Sequence, residues 1–414
     1  MSGLQPVRGT RDILPEERRA HRRIEESGRT VAERFGYEEI ATPIFEFSDV
    51  FRRTLGDTSD IVTKEMYSFT DKGGDEITLR PEGTAGAARM LIAGGLAQTL
   101  PLKYFYRGPM FRYERPQKGR FRQFHQIGVE LLGVGEPQGD VEIIALGAAL
   151  LDAIGVADDT VLELNTLGNS ASRAVYREIL VSYLSDHRTN LSDDSQARLE
   201  RNPLRILDSK NEGDRQIIAG APDFADSLDA ESVEFFAAVR QGLEALGIGF
   251  ILNSRLVRGL DYYCHTAFEF TTQALGAQGT VLAGGRYDGL VGQMGGPETP
   301  GVGWAAGIER LALLADITPT APRPVAVIPV SPELAGQAMI LANDLRRDGY
   351  VVELAFRGNM SRRLKRANRL NASVAVILGP DEVARGTATI RDLDSGVQSE
   401  AALGSLSEHL TAYR

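Results

Sequence analysis

The 414-residue sequence has a single cysteine, Cys264. That excludes an intrachain disulfide and a zinc cluster built on cysteines, and it suits a reducing compartment, the cytoplasm. No apolar run of about 18 residues occurs, so no membrane-spanning helix is expected. The first stretch, MSGLQPVRGTRDILPEERRAHRR, is charged and lacks an apolar h-region, so it does not read as a secretory signal. The five histidines, His21, His125, His187, His265 and His409, show neither HExxH nor another paired ligand spacing, and no metal site built by the protein alone is expected. There is no GxxxxGK[ST] phosphate loop, no GxSxG nucleophile elbow, and no strand–GxGxxG–helix spacing. Any nucleotide must therefore be held by other means. The net charge of −10 argues against a chain that coats nucleic acid or membrane generally. A local basic patch can still bind phosphate on an acidic protein.

Such a patch is present. Between Tyr106 and Glu130, in YRGPMFRYERPQKGRFRQFHQIGVE, stand Arg107, Arg112, Arg115, Lys118, Arg120 and Arg122, with Glu114 the one nearby acid. Guanidinium is planar, permanently charged and able to grip phosphate through two donors. The same charges can also keep an exposed hairpin soluble, and charge alone does not separate the two.

The periodicities predict a helix over 16–36, bounded by Pro15 and Gly36, then a strand in EEIATPIFEF. EITLRP, LKYFYRGPMFRYE and FHQIGVELLG read as strands, the last two forming a long antiparallel hairpin around PQKG. VEIIALGAALLDAIG reads as a helix and TVLELNTLG as a strand. A polar, helical stretch runs from about 170 to 246. Strands return at FILNSRLV, YCHTAFEFTT and TVLAGG, and VGWAAGIERLALLA reads as a strand end entering a helix. DITPTAPRP suits a stiff linker. Beyond it, strand and helix alternate and end in a helix, predicting a small α/β domain with a partly parallel sheet. The fold class is α+β: a mostly antiparallel core domain over 1–320 with a helical insertion at about 170–246, plus a C-terminal α/β domain over 325–414.

Several other stretches carry usable chemistry. LRPEGT places Arg80, Glu82 and Thr84 together, suited to an ammonium group or to capping the next helix. RLVRGLDYY sets Arg258, Asp261, Tyr262 and Tyr263 around Gly259, which fits either close backbone approach to a ligand or a strand bend with buried tyrosines. AGGRYDGLV adds Arg286, Tyr287 and Asp288. GIERLALL puts Arg310 at a helix start, where it can meet phosphate or pair with Glu309. Glu130 ends FHQIGVE, where alternation points it to the side of Gln126 and Gly128.

Taken in order, these stretches resemble the class II aminoacyl-tRNA synthetases over essentially the whole chain. FRYERPQKGRFRQFHQ is similar to their motif 2, GVGWAAGIERL to motif 3, and the segment around GYEEIATPIFE to motif 1, which lies at the family's dimer interface. LVRGLDYY and AGGRYDGLV resemble the two motifs peculiar to the histidyl-tRNA synthetases. The resemblance implies a class II catalytic domain, a C-terminal anticodon-binding domain, and a homodimer with apolar Ile40, Ile44 and Phe45 available at motif 1. It implies activation of L-histidine by ATP, with Mg2+, to histidyl-adenylate, then transfer to the 3′ end of tRNA(His). No organic cofactor, no zinc and no membrane are implied.

Residue by residue, the resemblance puts Arg112 on the α-phosphate, Arg310 on bent ATP near the γ-phosphate, and Arg120 with Glu114 around the outer part of ATP. Glu82, Thr84 and Gln126 would hold the substrate ammonium and carboxylate. Glu130 and Tyr263 would read the imidazole, with Tyr262 and Tyr287 beside them. Arg258, with Arg112, would be catalytic, neutralising charge as carboxylate attacks phosphorus. Gln117, Lys118 and Arg122 would approach the end of tRNA. In the C-terminal domain, RGNMSRRLKRANR contains no acid, and Arg362, Arg366 and Arg369 recur on one helix face. The resemblance makes Arg362 and Arg366 tRNA contacts. The alternative is a synthetase-like regulatory subunit of ATP phosphoribosyltransferase, which shares the catalytic fold but typically lacks the anticodon domain and parts of the ATP motifs.

Overall fold

The computed structural model describes residues 4–56, 59, 61–117, 119–209, 211–257, 262–276, 279–315 and 321–414. Lys118, Arg258, Asp261 and the first part of the expected linker lie outside the described residues. The chain divides into two compact units, Met1–Pro319 and Thr320–Arg414.

The first unit is organised by an eight-stranded sheet. Its spatial order is Glu38–Ile40, Leu102–Phe111, Gln123–Leu132, Gly301–Gly307, Thr280–Arg286, Cys264–Thr271, Val161–Thr166 and Ile251–Leu252. The two outermost pairs are parallel and the rest antiparallel. Alternation along Gln123–Leu132 decides what each face carries. Ile127, Val129 and Leu131 point into the main apolar core with Ile24, Val31, Ile143, Leu150 and Leu311. Gln126, Gly128 and Glu130 occupy the other face.

Helix Pro15–Arg34 joins that core through Ile24, Val31 and Ala32, which lie on one face two turns apart. Pro15 starts it, in a position where a missing backbone N–H costs nothing. Helix Pro137–Ala153 presses Gly147 toward Leu282 and Phe270, where a Cβ would stand 3.3 Å from each.

The stretch EEIATPIFEF is not one strand. It splits into Glu38–Ile40, in the large sheet, and Phe45–Phe47, in a separate sheet with Tyr67–Thr70 and Glu76–Leu79. Pro43 in the middle lacks the N–H that a continuous ladder needs. FILNSRLV shrinks to the two-residue strand Ile251–Leu252. The helical region holds Ser170–Asp186, Asp193–Arg201 and Glu212–Ile218 around a small core of Tyr176, Leu180, Leu184, Leu199 and Phe224. Its last helix, Ala230–Ala245, instead inserts Val239 and Leu243 into the main core.

The second unit has a five-stranded sheet ordered Val352–Leu354, Val325–Pro329, Val374–Leu378, Thr387–Asp392 and Gln398–Ala402. The first three strands are parallel. The last two form an antiparallel pair that alternation at this level of polarity did not reveal. The end of the chain is short helical turns rather than one helix.

Candidate active site

The polar face of the large sheet floors a cleft of about 1500 Å³, lined among others by Glu82, Thr84, Arg112, Glu114, Gln126 and Arg310. Its deepest feature lies next to it. Glu130 has no exposed surface, and three hydroxyls converge on its carboxylate. Thr84 Oγ1 donates to Oε1 at 2.7 Å, Tyr106 Oη donates to Oε1 at 3.1 Å, and Tyr287 Oη donates to Oε2. Burial pushes the Glu130 carboxyl up to about 8; the hydroxyls oppose this and neighbouring Glu82 adds to it.

Glycines make the room. A Cβ on Gly303 would stand 2.1 Å from Glu130 Oε2, and one on Gly128 or Gly83 would stand 2.4 or 2.3 Å from the Tyr106 ring. Tyr106 was not singled out in the sequence. Its place depends on the register of the hairpin, which sets it opposite Gly128. The one sequence signal was alternation in YFYRG, which puts Tyr104 and Tyr106 on one face.

The other predicted pocket residues gather around this carboxylate. Tyr262 and Tyr263 are buried and line the cleft, their ring centroids 4.6 Å apart, and Tyr262 meets the Tyr287 ring edge-on at 5.7 Å. Gln126 lines the same space, and its buried Oε1 has no hydrogen-bond partner among the described residues. Glu82 accepts from the backbone N–H groups of Thr84 and Ala85, at 2.7 and 2.8 Å. It therefore does cap the helix Thr84–Ala93, while burial pushes its carboxyl up. Thr84 turns its hydroxyl proton to Glu130, so toward a ligand it offers only a lone pair.

The arginine cluster separates into distinct groups. Arg112 is anchored by Nε–H to Pro81 O at 2.9 Å, with its guanidinium 5.3 Å from the Phe124 ring centroid. Arg120 pairs with Glu114 at 3.0 Å. Arg310 is largely withdrawn from solvent, and its Nη2 has no partner among the described residues. Burial, and then the charge of Arg120, pull its pKa down to about 10. Two guanidinium groups held near each other, one without a partner, suit a polyanion.

Other basic and polar residues have partners within the chain. Arg107 pairs with Glu26 and Glu39, both 2.8 Å away and both remote in sequence. Arg122 lies 3.7 Å over the Tyr113 ring and donates to Glu114 O and Arg8 O, which ties down the hairpin base. Gln117 bridges to Arg120 across the exposed hairpin tip. Arg80 is a buried brace to Pro109 O and Thr42 O. Arg286 is buried against Asp140 and also pairs with Asp288 at 3.0 Å, so of that motif's polar side chains it is Tyr287 that meets Glu130. Burial pushes the Cys264 thiol up to about 12, so it is protonated at neutral pH and no nucleophile.

In the second unit, Asn359 caps helix Met360–Arg369 through Arg362 N at 3.1 Å. Arg362 is exposed. Arg366 is not free: the neighbouring strand supplies Glu353, 2.6 Å away. The segment itself has no acid, but the fold brings one.

A family model described as histidyl-tRNA synthetase matches residues 9–311, and one described as anticodon binding domain matches 324–413. The chain is 63% identical over its full length to the histidine–tRNA ligase of Rhodospirillum rubrum, itself covered completely. It is 58% identical to that of Gluconacetobacter diazotrophicus, with 99% of each chain covered. The solved apo histidyl-tRNA synthetase of S. aureus superposes with a TM-score of 0.83 at 32% identity, over 98% of this chain and 99% of that one. A Bacillus halodurans C chain named ATP phosphoribosyltransferase regulatory subunit/histidyl-tRNA synthetase shares the fold at 23% identity and TM-score 0.63. The full-length match to ligases, anticodon-binding domain included, does not favour the regulatory reading. The chain belongs to the histidyl-tRNA synthetase family and is an aminoacyl-tRNA synthetase.

Proposed function

We propose that this one cleft carries out both halves of the family reaction, with the imidazole of L-histidine selected by Glu130. The chain ligates histidine to tRNA at the expense of ATP; the residue roles are our reading. Its main support is the convergence of three hydroxyls on a carboxylate with no exposed surface. Such a group has room for one further strong donor, and an imidazole N–H fits. Tyr263 stands where it can meet the second ring nitrogen. An apolar isostere would leave these groups unpaired, which is how a polar pocket rejects strongly. The orphaned Oε1 of Gln126, with Glu82, suits the substrate ammonium.

Arg112 and Arg310 bracket the phosphates, and Arg120 with Glu114 takes the outer part of MgATP. Magnesium enters with the nucleotide as part of the substrate. Arg112 and Arg258 neutralise the charge that builds as the histidine carboxylate attacks the α-phosphorus and pyrophosphate leaves. Most of the acceleration then comes from orientation and fixed charge. The Arg258 role rests on its place in LVRGLDYY. In the second step the histidyl group passes to the terminal adenosine of tRNA(His). Gln117 at the hairpin tip approaches that end, and Lys118 does so by its place beside Gln117 in the sequence, with Arg122 holding the hairpin.

Arg362 contributes phosphate affinity in the anticodon-binding domain; Arg366 does so only by exchanging Glu353 for phosphate. A homodimer is supported by the apolar surface of the small sheet, where Ile44, Phe45, Phe47 and Phe69 are exposed. No helix among the described residues is long and apolar enough to cross a membrane, and we place the chain in the cytoplasm.

ATP–pyrophosphate exchange with each amino acid in turn, followed by charging of tRNA(His) transcripts, tests the reading. Histidine alone should support exchange. Exchange with a different amino acid and not with histidine would overturn it.

A further inference from the structure

Three side chains remote in sequence meet beside the cleft and take no part in the chemistry above. His21 comes from helix Pro15–Arg34, His125 from strand Gln123–Leu132, and Glu309 from helix Ile308–Ala315. One ligand-capable atom of each lies within 4.8 Å of the others. His125 Nδ1 and Glu309 Oε1 are 2.8 Å apart, and both Glu309 oxygens accept from His125 N at 3.0 Å. The two imidazoles meet edge to face with centroids 5.7 Å apart.

His21 is the anomaly. It has no exposed surface, yet neither ring nitrogen has a hydrogen-bond partner among the described residues. The nearest acid outside the cluster, Glu17, stands 3.7 Å from Nε2, beyond hydrogen-bond range. A neutral imidazole has one donor and one acceptor, and leaving both unmet in the interior is destabilising unless something else satisfies them.

We propose that His21, His125 and Glu309 form a binding site for one borderline divalent transition-metal ion, zinc being the ion whose preferences they fit. Two imidazole nitrogens and a carboxylate oxygen are a familiar three-ligand set for zinc, with a fourth position open to water. The 2.8 Å between His125 Nδ1 and Glu309 Oε1 is already close to the edge of a tetrahedron with bonds of about 2.0–2.1 Å, roughly 3.3 Å. The widest pair, at most 4.8 Å apart, has no more than about 1.5 Å to close to reach that edge. On binding, the proton on His125 Nδ1 moves to Nε2 by exchange with water, and Glu309 keeps its bond from His125 N–H.

Magnesium is not the occupant, because it demands octahedral oxygen coordination. The ion would tie the first helix to the strand carrying Gln126 and to the helix carrying Arg310. It is a clamp beside the reaction and takes no part in the reaction itself.

The test uses the full chain, stripped with chelator and titrated with zinc against a chromophoric chelator, with magnesium in excess. One zinc per chain should bind. His21→Phe should weaken that binding by at least about 10-fold, the lower range for losing a metal-site contact, and His409→Ala, at an exposed histidine, should leave it unchanged. Cobalt(II) should give tetrahedral visible bands with the wild type and lose them with His21→Phe. Circular dichroism of the metal-free proteins checks folding. If His21→Phe does not fold, Glu309→Gln, which keeps an acceptor for His125 N–H, should show the same loss. No bound zinc in the wild type, or equal binding by the variants, overturns the proposal.

Discussion

Glu130 beside the cleft and Asp214 in the helical region are both without exposed surface, and three side-chain hydroxyls converge on each. Asp214 takes them from Ser192, Ser195 and Ser209, at 2.7, 2.6 and 2.6 Å. Yet they titrate at opposite extremes. Burial raises the Asp214 carboxyl, but its hydrogen bonds outweigh that and bring it down to about 2. Glu130 is pushed up to about 8. Three differences account for the contrast. Asp214 also accepts the backbone N–H of Ser192, at 2.8 Å, and so is fully served by its own chain. Glu130 has no backbone donor, lies deeper, and has Glu82 as a like-charged neighbour. One carboxylate closes a structure; the other is left short of a donor that a ligand can supply.

The linkage signs are opposite. The Asp214 contribution is present above its unfolded value, near 4, and is lost as pH falls toward 2. For Glu130 the folded state holds its proton longer than the unfolded chain does. Its effect is a loss of stability as pH rises from 4.5 through 8 in the ligand-free protein.

Removing the charge from Glu130 should give the largest functional effect. Glu130→Gln is expected to lower kcat/KM for histidine in pyrophosphate exchange by on the order of 1000-fold, as in polar pockets that lose a matched pair. KM for ATP should change by less than about 3-fold, since Glu130 is assigned no contact with the nucleotide. An equal loss on both substrates would break the contrast between a substrate-reading and a structural carboxylate.

Arg310→Ala comes next, with an expected loss of about 100-fold in exchange rate, the scale for one preorganised charge stabiliser. Steady-state kinetics should show no selective change in KM for histidine.

Tyr106→Phe sharpens the comparison by taking one hydroxyl from Glu130. KM for histidine should rise about 3- to 10-fold, the worth of one hydrogen bond, and the histidine KM profile should shift toward higher pH, because the carboxyl becomes harder to ionise. A purely structural tyrosine would leave that profile in place.

Asp214→Asn should touch activity least. Its melting temperature at pH 7 is expected to fall by about 3–6 °C, with one or two buried hydroxyls left poorly matched, while KM for histidine stays put. The melting difference should shrink as pH drops toward 3.

What the sequence disclosed follows the same division. Strands with strong alternation and helices with clear caps were legible: the hairpin Leu102–Phe111 with Gln123–Leu132 and the helix Pro15–Arg34 lie where periodicity puts them. Glu130 and Gln126 could be placed on one side of their strand because the side-chain period of a strand is two; Arg112, just past the end of the partner strand, was placed by the family resemblance. Contacts fixed by register or by distant segments could not. Tyr106 reaches Glu130 only through pairing across the hairpin. Arg107 finds its acids 81 and 68 residues away. Arg366 meets Glu353 through packing of strand against helix. The cluster of His21, His125 and Glu309 has no local spacing at all. The antiparallel pair at the end of the second unit was missed because TATIRD and QSEAA are too polar and short to announce strands.

The most direct test joins function to ionisation in one variant. Thermal unfolding of ligand-free wild type and Glu130→Gln should be followed from pH 5 to pH 8. The account predicts that Glu130→Gln gains stability over the wild type progressively across that range, while the same protein has lost histidine-dependent exchange. A difference in melting temperature that is flat with pH, or a variant that still activates histidine normally, would contradict the claim that Glu130 is a carboxylate held in reserve for the substrate.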